Sequence, residues 1–337
     1  MSETTDLVFP IHRLNQQVSE KLAKIVSANI PGNINKGLRN EVSLIDEGTG
    51  ITDCAYITRD SSTGDIFVTL SAAFMQYVWL LNDIALKSID LSTIMQECNR
   101  LGLDIETYVK SSELVATMTP EELAEKCQLP QDVDPLQYID FIKRTLPLLD
   151  FESHKKKCKY EATLIQRLCD KTEKFTDKDF TDIDLNAGYE EKVNSVYCYS
   201  IAFAMLHELS HFQLGHLTTN VLKQGFEKDA DLNAFQCVFT DLDAQEKFTA
   251  MVGILCLLFA LLMLNPTMKE DGIHPREDKR IFEIYNKVAS ENPKYTVLLV
   301  RMFNFWASVY NIAGYPVTTD DSEDSLNKIR AFLSNYL

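Results

Sequence analysis

The stretch "HELSH", residues 207–211, sets two imidazoles four residues apart with a carboxylate beside the first. On a helix of about 3.6 residues per turn, His207 and His211 fall on one face, one above the other, and can share a single zinc ion. Glu208 is rotated about 100° from His207, close enough to reach a metal-activated water without being a ligand itself. This HExxH spacing is the arrangement of metal-assisted hydrolysis, with the glutamate as general base. Only six histidines occur in the chain, and three of them, His207, His211 and His216, fall within ten residues. The preceding "SIAFAML" is almost wholly apolar, so the helix is a central one. An imidazole or carboxylate buried there without a partner costs free energy.

Two further segments hold candidate partners. "GFEKDADLNAF", residues 225–235, places Glu227 and Asp231 four apart on one face of the next helix. That spacing lets one carboxylate bind the metal while the other accepts the N–H of a ligand histidine. His216 is a weaker ligand candidate: on a continuous helix it lies about 180° from His207, and after Gly215 it reads as a cap or as packing behind the ligands. "DGIHPREDKRI", residues 271–281, opens a helix with Pro275 at the first position and Glu277 and Asp278 in the first turn. Its functional reading makes His274 a catalytic donor to the oxyanion of a tetrahedral intermediate. Arg280 then holds a carboxylate of the site in place.

The elements around these residues read as α+β, mostly α-helical, with a small antiparallel sheet near the N-terminus packed beside the central metal-binding helix. After an amphipathic helix over 11–29, three β-like runs, "EVSLI", "CAYITR" and "DIFVTL", are separated by turn residues and predict a meander. Helical spacing begins near residue 71. From 189 onward it recurs over 190–216, 227–244, 247–264, 276–290, 294–313 and 323–336. "MTPEELAEKC" announces a helix, with Thr119 as cap and Pro120 in first position. We divide the chain into 1–89, an N-terminal part of the catalytic domain, 90–188, a helical insertion or recognition region, and 189–337, the helical core. The acidic stretch 170–188 reads as a linker.

A net charge of −16 argues against a nucleic-acid partner, which would need clustered cations, and the single basic run at 154–159 reads as a solvated face. None of the eight cysteines forms a CxxC pair, and the N-terminus lacks a secretory pattern, which points to the cytoplasm and to buried thiols. Residues 248–268 carry no charge. Their apolar core is short for a bilayer span and ends at Asn265-Pro266, so a buried helix is preferred over membrane association.

HELSH, then E-x-x-A-D at 227–231, then H-P-x-x-x-x-R-I at 274–281 resembles, in this order, the gluzincin metallopeptidases. The last two segments look like those of the CAAX prenyl endopeptidase and heat-shock membrane protease family. The short gap and the "HxxLGH" form look more like the phage-exclusion peptidase Lit family. The resemblance implies His207, His211 and Glu227 as zinc ligands, Glu208 as catalytic base, and Asp231 as the acceptor behind a ligand. It implies too a sheet edge that pairs with substrate backbone, for which "DIFVTL" is the candidate strand. The expected activity is a zinc-dependent endopeptidase acting on an intracellular protein or peptide, in phage defence or stress regulation. The alternative is a non-enzymatic regulatory protein with a structural or vestigial metal site.

Overall fold

The computed structural model describes residues 17–18, 20, 44–45, 54–59, 61–62, 66–131, 133–145, 162–165, 187–216, 224–268, 274–316 and 322–336. Among them are three strands and ten helices with both ends described, and 17–18, 20 and 162–165 are helical as well. Most of the expected helix over 11–29, the basic run 154–159 and most of the acidic stretch 170–188 lie outside them. The described residues divide into two compact units, one of 1–83 with 162–337 and one of 84–161.

In the first unit β1 (Leu44–Ile45), β2 (Ala55–Arg59) and β3 (Ile66–Ser71) form one sheet in the order β1-β3-β2. β2 and β3 pair antiparallel from Ala55↔Leu70 to Arg59↔Ile66, while β1 runs parallel to β3. The mostly helical α+β class with a small antiparallel pair holds, but the three strands are not a meander. The two residues of β1 make no hairpin with β2; they add to the far edge of β3, which becomes the middle strand. β2 is left at an edge, and it alternates: Tyr56 and Thr58 are exposed, Ala55 and Ile57 half-buried.

Helix α1 (Ala72–Arg100) begins directly after β3. Its first part belongs to this unit, together with α5 (Ala187–Gln213), α6 (Gln224–Phe239), α7 (Ala244–Leu264), α8 (Glu277–Val288), α9 (Lys294–Val309) and α10 (Glu323–Asn335). Helix α7 starts in a capping box, with Asp243 accepting from the Glu246 N–H at 2.8 Å and Glu246 accepting from the Asp243 N–H at 3.4 Å. It stops at Asn265, before Pro266. Being apolar on all sides, it needs cover on all sides, and α5, α6, α8 and α9 all pack on it. By length and composition it would span a bilayer, yet 72% of its most apolar window is buried within the fold.

Helices α5 and α7 approach closely. A Cβ on Gly253 would lie 2.6 Å from the Val196 carbonyl oxygen and 3.0 Å from the Ser200 nitrogen, so only glycine permits it. Ser200 Oγ donates to the Gly253 carbonyl at 2.8 Å and accepts from Asn82 Nδ2 at 3.1 Å, which satisfies these polar groups inside the core. Strands β2 and β3 also pack against α5. Helix α5 thus packs on both the sheet and α7, and its last two turns carry HELSH.

The second unit contains the remainder of α1, then α2 (Ile105–Leu114), α3 (Pro120–Cys127) and α4 (Pro135–Thr145). Thr119 caps α3 in a capping box with Glu122, and Pro120 opens the helix, as the sequence predicts. Ile94, Cys98, Tyr108, Leu123, Tyr138 and Ile142 form the centre of its own apolar core.

Candidate metal centre

His207 and His211 point their Nε2 atoms at one another across 3.2 Å near the end of α5. The Glu227 carboxylate arrives from the first turn of α6 and closes the group, Oε2 lying 3.3 Å from His207 Nε2 and Oε1 3.3 Å from His211 Nε2. All three side chains are buried. A tetrahedral ion with ligand bonds of about 2.0–2.1 Å needs neighbouring donors about 3.3 Å apart. In this triangle of two imidazoles and one carboxylate, the two ring nitrogens, and each of them with one of the two carboxylate oxygens, stand at that separation. One donor atom from each residue lies within 4.8 Å of the others, so these residues fit a metal ion.

The groups behind the triangle set its charge. Arg280, from α8, donates from Nε to Asp231 Oδ2 at 2.7 Å and from Nη2 to Oδ1 at 2.8 Å. Asp231 Oδ1 lies 2.8 Å from His207 Nδ1, at ion-pair distance although off the line of a hydrogen bond. Burial alone would lift the Asp231 pKa; the neighbouring Arg280 and His207 outweigh it and hold it at about 2. Burial also pulls His207 down, but Asp231 and then Glu227 raise it to about 9. For Glu227 burial is again opposed, here by the two imidazoles, which hold it well below the usual carboxylate range.

A cavity of about 290 Å³ opens on this centre, with His207, Glu208, Glu227 and His274 on its polar wall. Phe74, Phe203, Leu257, Leu261 and Leu264 make the apolar wall. Burial raises the pKa of Glu208, the largest influence on it. His274 sits at the rim, its side chain 52% exposed, with Nε2 4.0 Å from Glu227 Oε1. A wider hollow of about 810 Å³, lined by Arg276, Phe282 and Arg330 among others, contains none of these groups, so the smaller cavity is the one that meets the chemistry.

All seven residues singled out in the sequence therefore come together: His207, His211 and Glu227 in the triangle, Glu208 and His274 on its cavity, Asp231 and Arg280 behind it. Two features differ from the sequence reading, and a third is made specific. Helix α8 opens at Glu277, with Arg276 as its N-cap, so Pro275 precedes the helix. The strand lining the cavity is β2, through Cys54 beside it and Ala55, and not "DIFVTL", which is the middle strand β3. His216 packs behind a ligand, as its place after Gly215 suggests: α5 ends at Gln213, Gly215 takes φ +75°, and the ring returns to place Nδ1 3.0 Å from His211 Nδ1. Glycine near a helix end was the available signal for that reversal. Asn265 and Glu277 also line the cavity, Asn265 Nδ2 donating to the Glu277 carboxylate at 3.1 and 3.2 Å, and no spacing rule singles them out.

Residues 152–300, under half of the chain, match the family model described as Peptidase U49, a Lit-related peptidase family. No curated protein and no solved structure matches the chain. The matched span contains every residue of the centre and supports a peptidase, a hydrolase acting on peptide bonds.

Proposed function

We propose that this chain is a zinc-dependent endopeptidase that cuts an intracellular protein. The observation that carries the reading is the triangle of His207 Nε2, His211 Nε2 and the Glu227 carboxylate, with Glu208 on the same cavity. Two imidazoles and one carboxylate suit zinc, whereas magnesium and calcium prefer oxygen donors throughout. A zinc ion held there supplies Lewis acidity, polarising the scissile carbonyl and making water a usable nucleophile near neutral pH.

The chain's own groups do the rest. Glu208 takes a proton as the water oxygen bonds to the carbonyl carbon. It returns that proton to the amide nitrogen as the C–N bond breaks, leaving a carboxylate and an amine. Its raised pKa brings it nearer the working pH, where a carboxylate can both accept and release the proton. His274 at the rim donates to the carbonyl oxygen as that oxygen gains charge. Arg280 and Asp231 steady the His207 ring from behind. The edge strand β2 offers backbone groups to an extended substrate. The Lit relation of the matched family supports a setting in phage defence, with a stress switch as the other cytoplasmic setting.

Metal analysis of purified protein and of Glu208→Gln tests the reading, combined with sequencing of new N-termini in cells expressing each. The expected result is zinc in both proteins and new N-termini only with wild type. Equal sets of N-termini, or protein that takes up no zinc, would overturn it.

A further inference from the structure

Resting on His207, His211 and Glu227 as the metal ligands, we infer that His216 is a positioning residue. It fixes the ring of His211 through a neutral imidazole-to-imidazole hydrogen bond in which His216 carries its own proton on Nε2.

The assignment follows from which atoms face which. His211 turns Nε2 toward His207 and Glu227, at 3.2 and 3.3 Å. A ligand nitrogen offers its lone pair, so the one proton left on the His211 ring belongs on Nδ1. That atom is 3.0 Å from Nδ1 of His216. His211 is then the donor and His216 Nδ1 the acceptor, and an imidazole nitrogen accepts only when it bears no proton. His216 therefore touches the side of His211 remote from the metal position and is not a fourth ligand.

The chain goes to some length to place this ring. A helix continued through residue 216 would carry it to the opposite face from His207, and Gly215, at φ +75°, supplies the reversal. The ring, 5% exposed, lies flat on Phe226 with centroids 4.0 Å apart and planes 8° apart. Phe226 immediately precedes Glu227, so one stack joins the end of the helix bearing two ligands to the start of the helix bearing the third. The two histidine ligands are consequently supported in different ways. His207 faces a carboxylate, which adds negative charge behind it, while His211 faces a neutral ring that supplies alignment without charge.

The test compares zinc affinities of chelator-stripped wild type, His216→Ala and His216→Asn by competition with a chromophoric chelator. The Asn side-chain oxygen takes the place of Nδ1 as acceptor, and Ala removes it. The expected result is a loss of about 10–100-fold for His216→Ala, with His216→Asn close to wild type. Equal losses in both variants, or no loss in either, would overturn the assignment. Should His216→Ala fail to fold in excess EDTA, imidazole nitrogen-15 spectra of zinc-loaded wild type decide. Protons on His211 Nδ1 and His216 Nε2 support the inference; a proton on His216 Nδ1 refutes it. Wild type that takes up no zinc would instead overturn the ligand set beneath it.

Discussion

Arg280 grips Asp231 with two parallel hydrogen bonds, at 2.7 and 2.8 Å, in a part of the molecule where both side chains are buried. The pair joins α8 to α6, and its carboxylate faces His207. Removing the guanidinium leaves an uncompensated buried charge, which typically costs about 3–5 kcal/mol. We expect Arg280→Met to lose stability on that scale in urea titration. Arg280→Lys should recover only part of it, because an ammonium cannot reproduce the two-pronged geometry. A wild-type midpoint for Arg280→Met would show that the pair is not structural.

Zinc uptake should be linked to protons through His207. Its pKa, held at about 9, lies above the ordinary imidazole value because Asp231 and Glu227 outweigh burial. Between the ordinary value and about 9 the folded ring keeps a proton that the unfolded chain has lost. The stability from this group is therefore complete below the ordinary value and declines as pH rises toward about 9. Zinc must displace that proton from Nε2. Titration calorimetry of chelator-stripped protein at pH 7, in buffers of different ionisation enthalpy, should report release of roughly one proton per ion. Zero release would contradict it.

His274 gives a sharper kinetic test. It is exposed at the rim and 4.0 Å from Glu227, outside the triangle. As the donor to a developing oxyanion, it should matter in the transition state more than in substrate binding. His274→Ala is expected to lower kcat by about 10²–10³ with KM little altered and with the zinc content of wild type. A change confined to KM would assign it to substrate binding instead.

Gly253 tests the scaffold. A side chain there would run into the α5 backbone at Val196 and Ser200. Gly253→Ala should cost about 1–3 kcal/mol by forcing the helices apart. Because Ser200 lies two turns before His207 on the same helix, zinc affinity should fall with it. Thermal melts with and without zinc would measure both effects.

What was legible in the sequence was local. Apolar spacing located α5 to α10 within a few residues, and the Thr119 cap marks its helix start in plain composition, whereas the Asp243 cap falls inside the span 227–244 read as one helix. The spacings within 207–211 and 227–231 brought the triangle together because a helix converts sequence interval directly into direction. Pairing between separated segments was not legible. Nothing in "EVSLI" says that its last two residues join β3 rather than β2, and so the edge strand was misassigned. The place of His216 behind the ligands was legible from Gly215, but which ring it meets was not, because one left-handed residue cancels the arithmetic that works for its neighbours.

Helix α7 leaves the ribosome before α8 and α9, two of the helices that will cover it, have been made. During that interval the nascent chain displays a rod that insertion machinery reads much as it reads a bilayer span. Docking onto the already synthesised α5, through the Ser200–Gly253 contact, competes with misdelivery and with capture by other unfinished copies. The glycine seam that lets α7 settle on α5 is thus also the contact through which the nascent rod can first be covered.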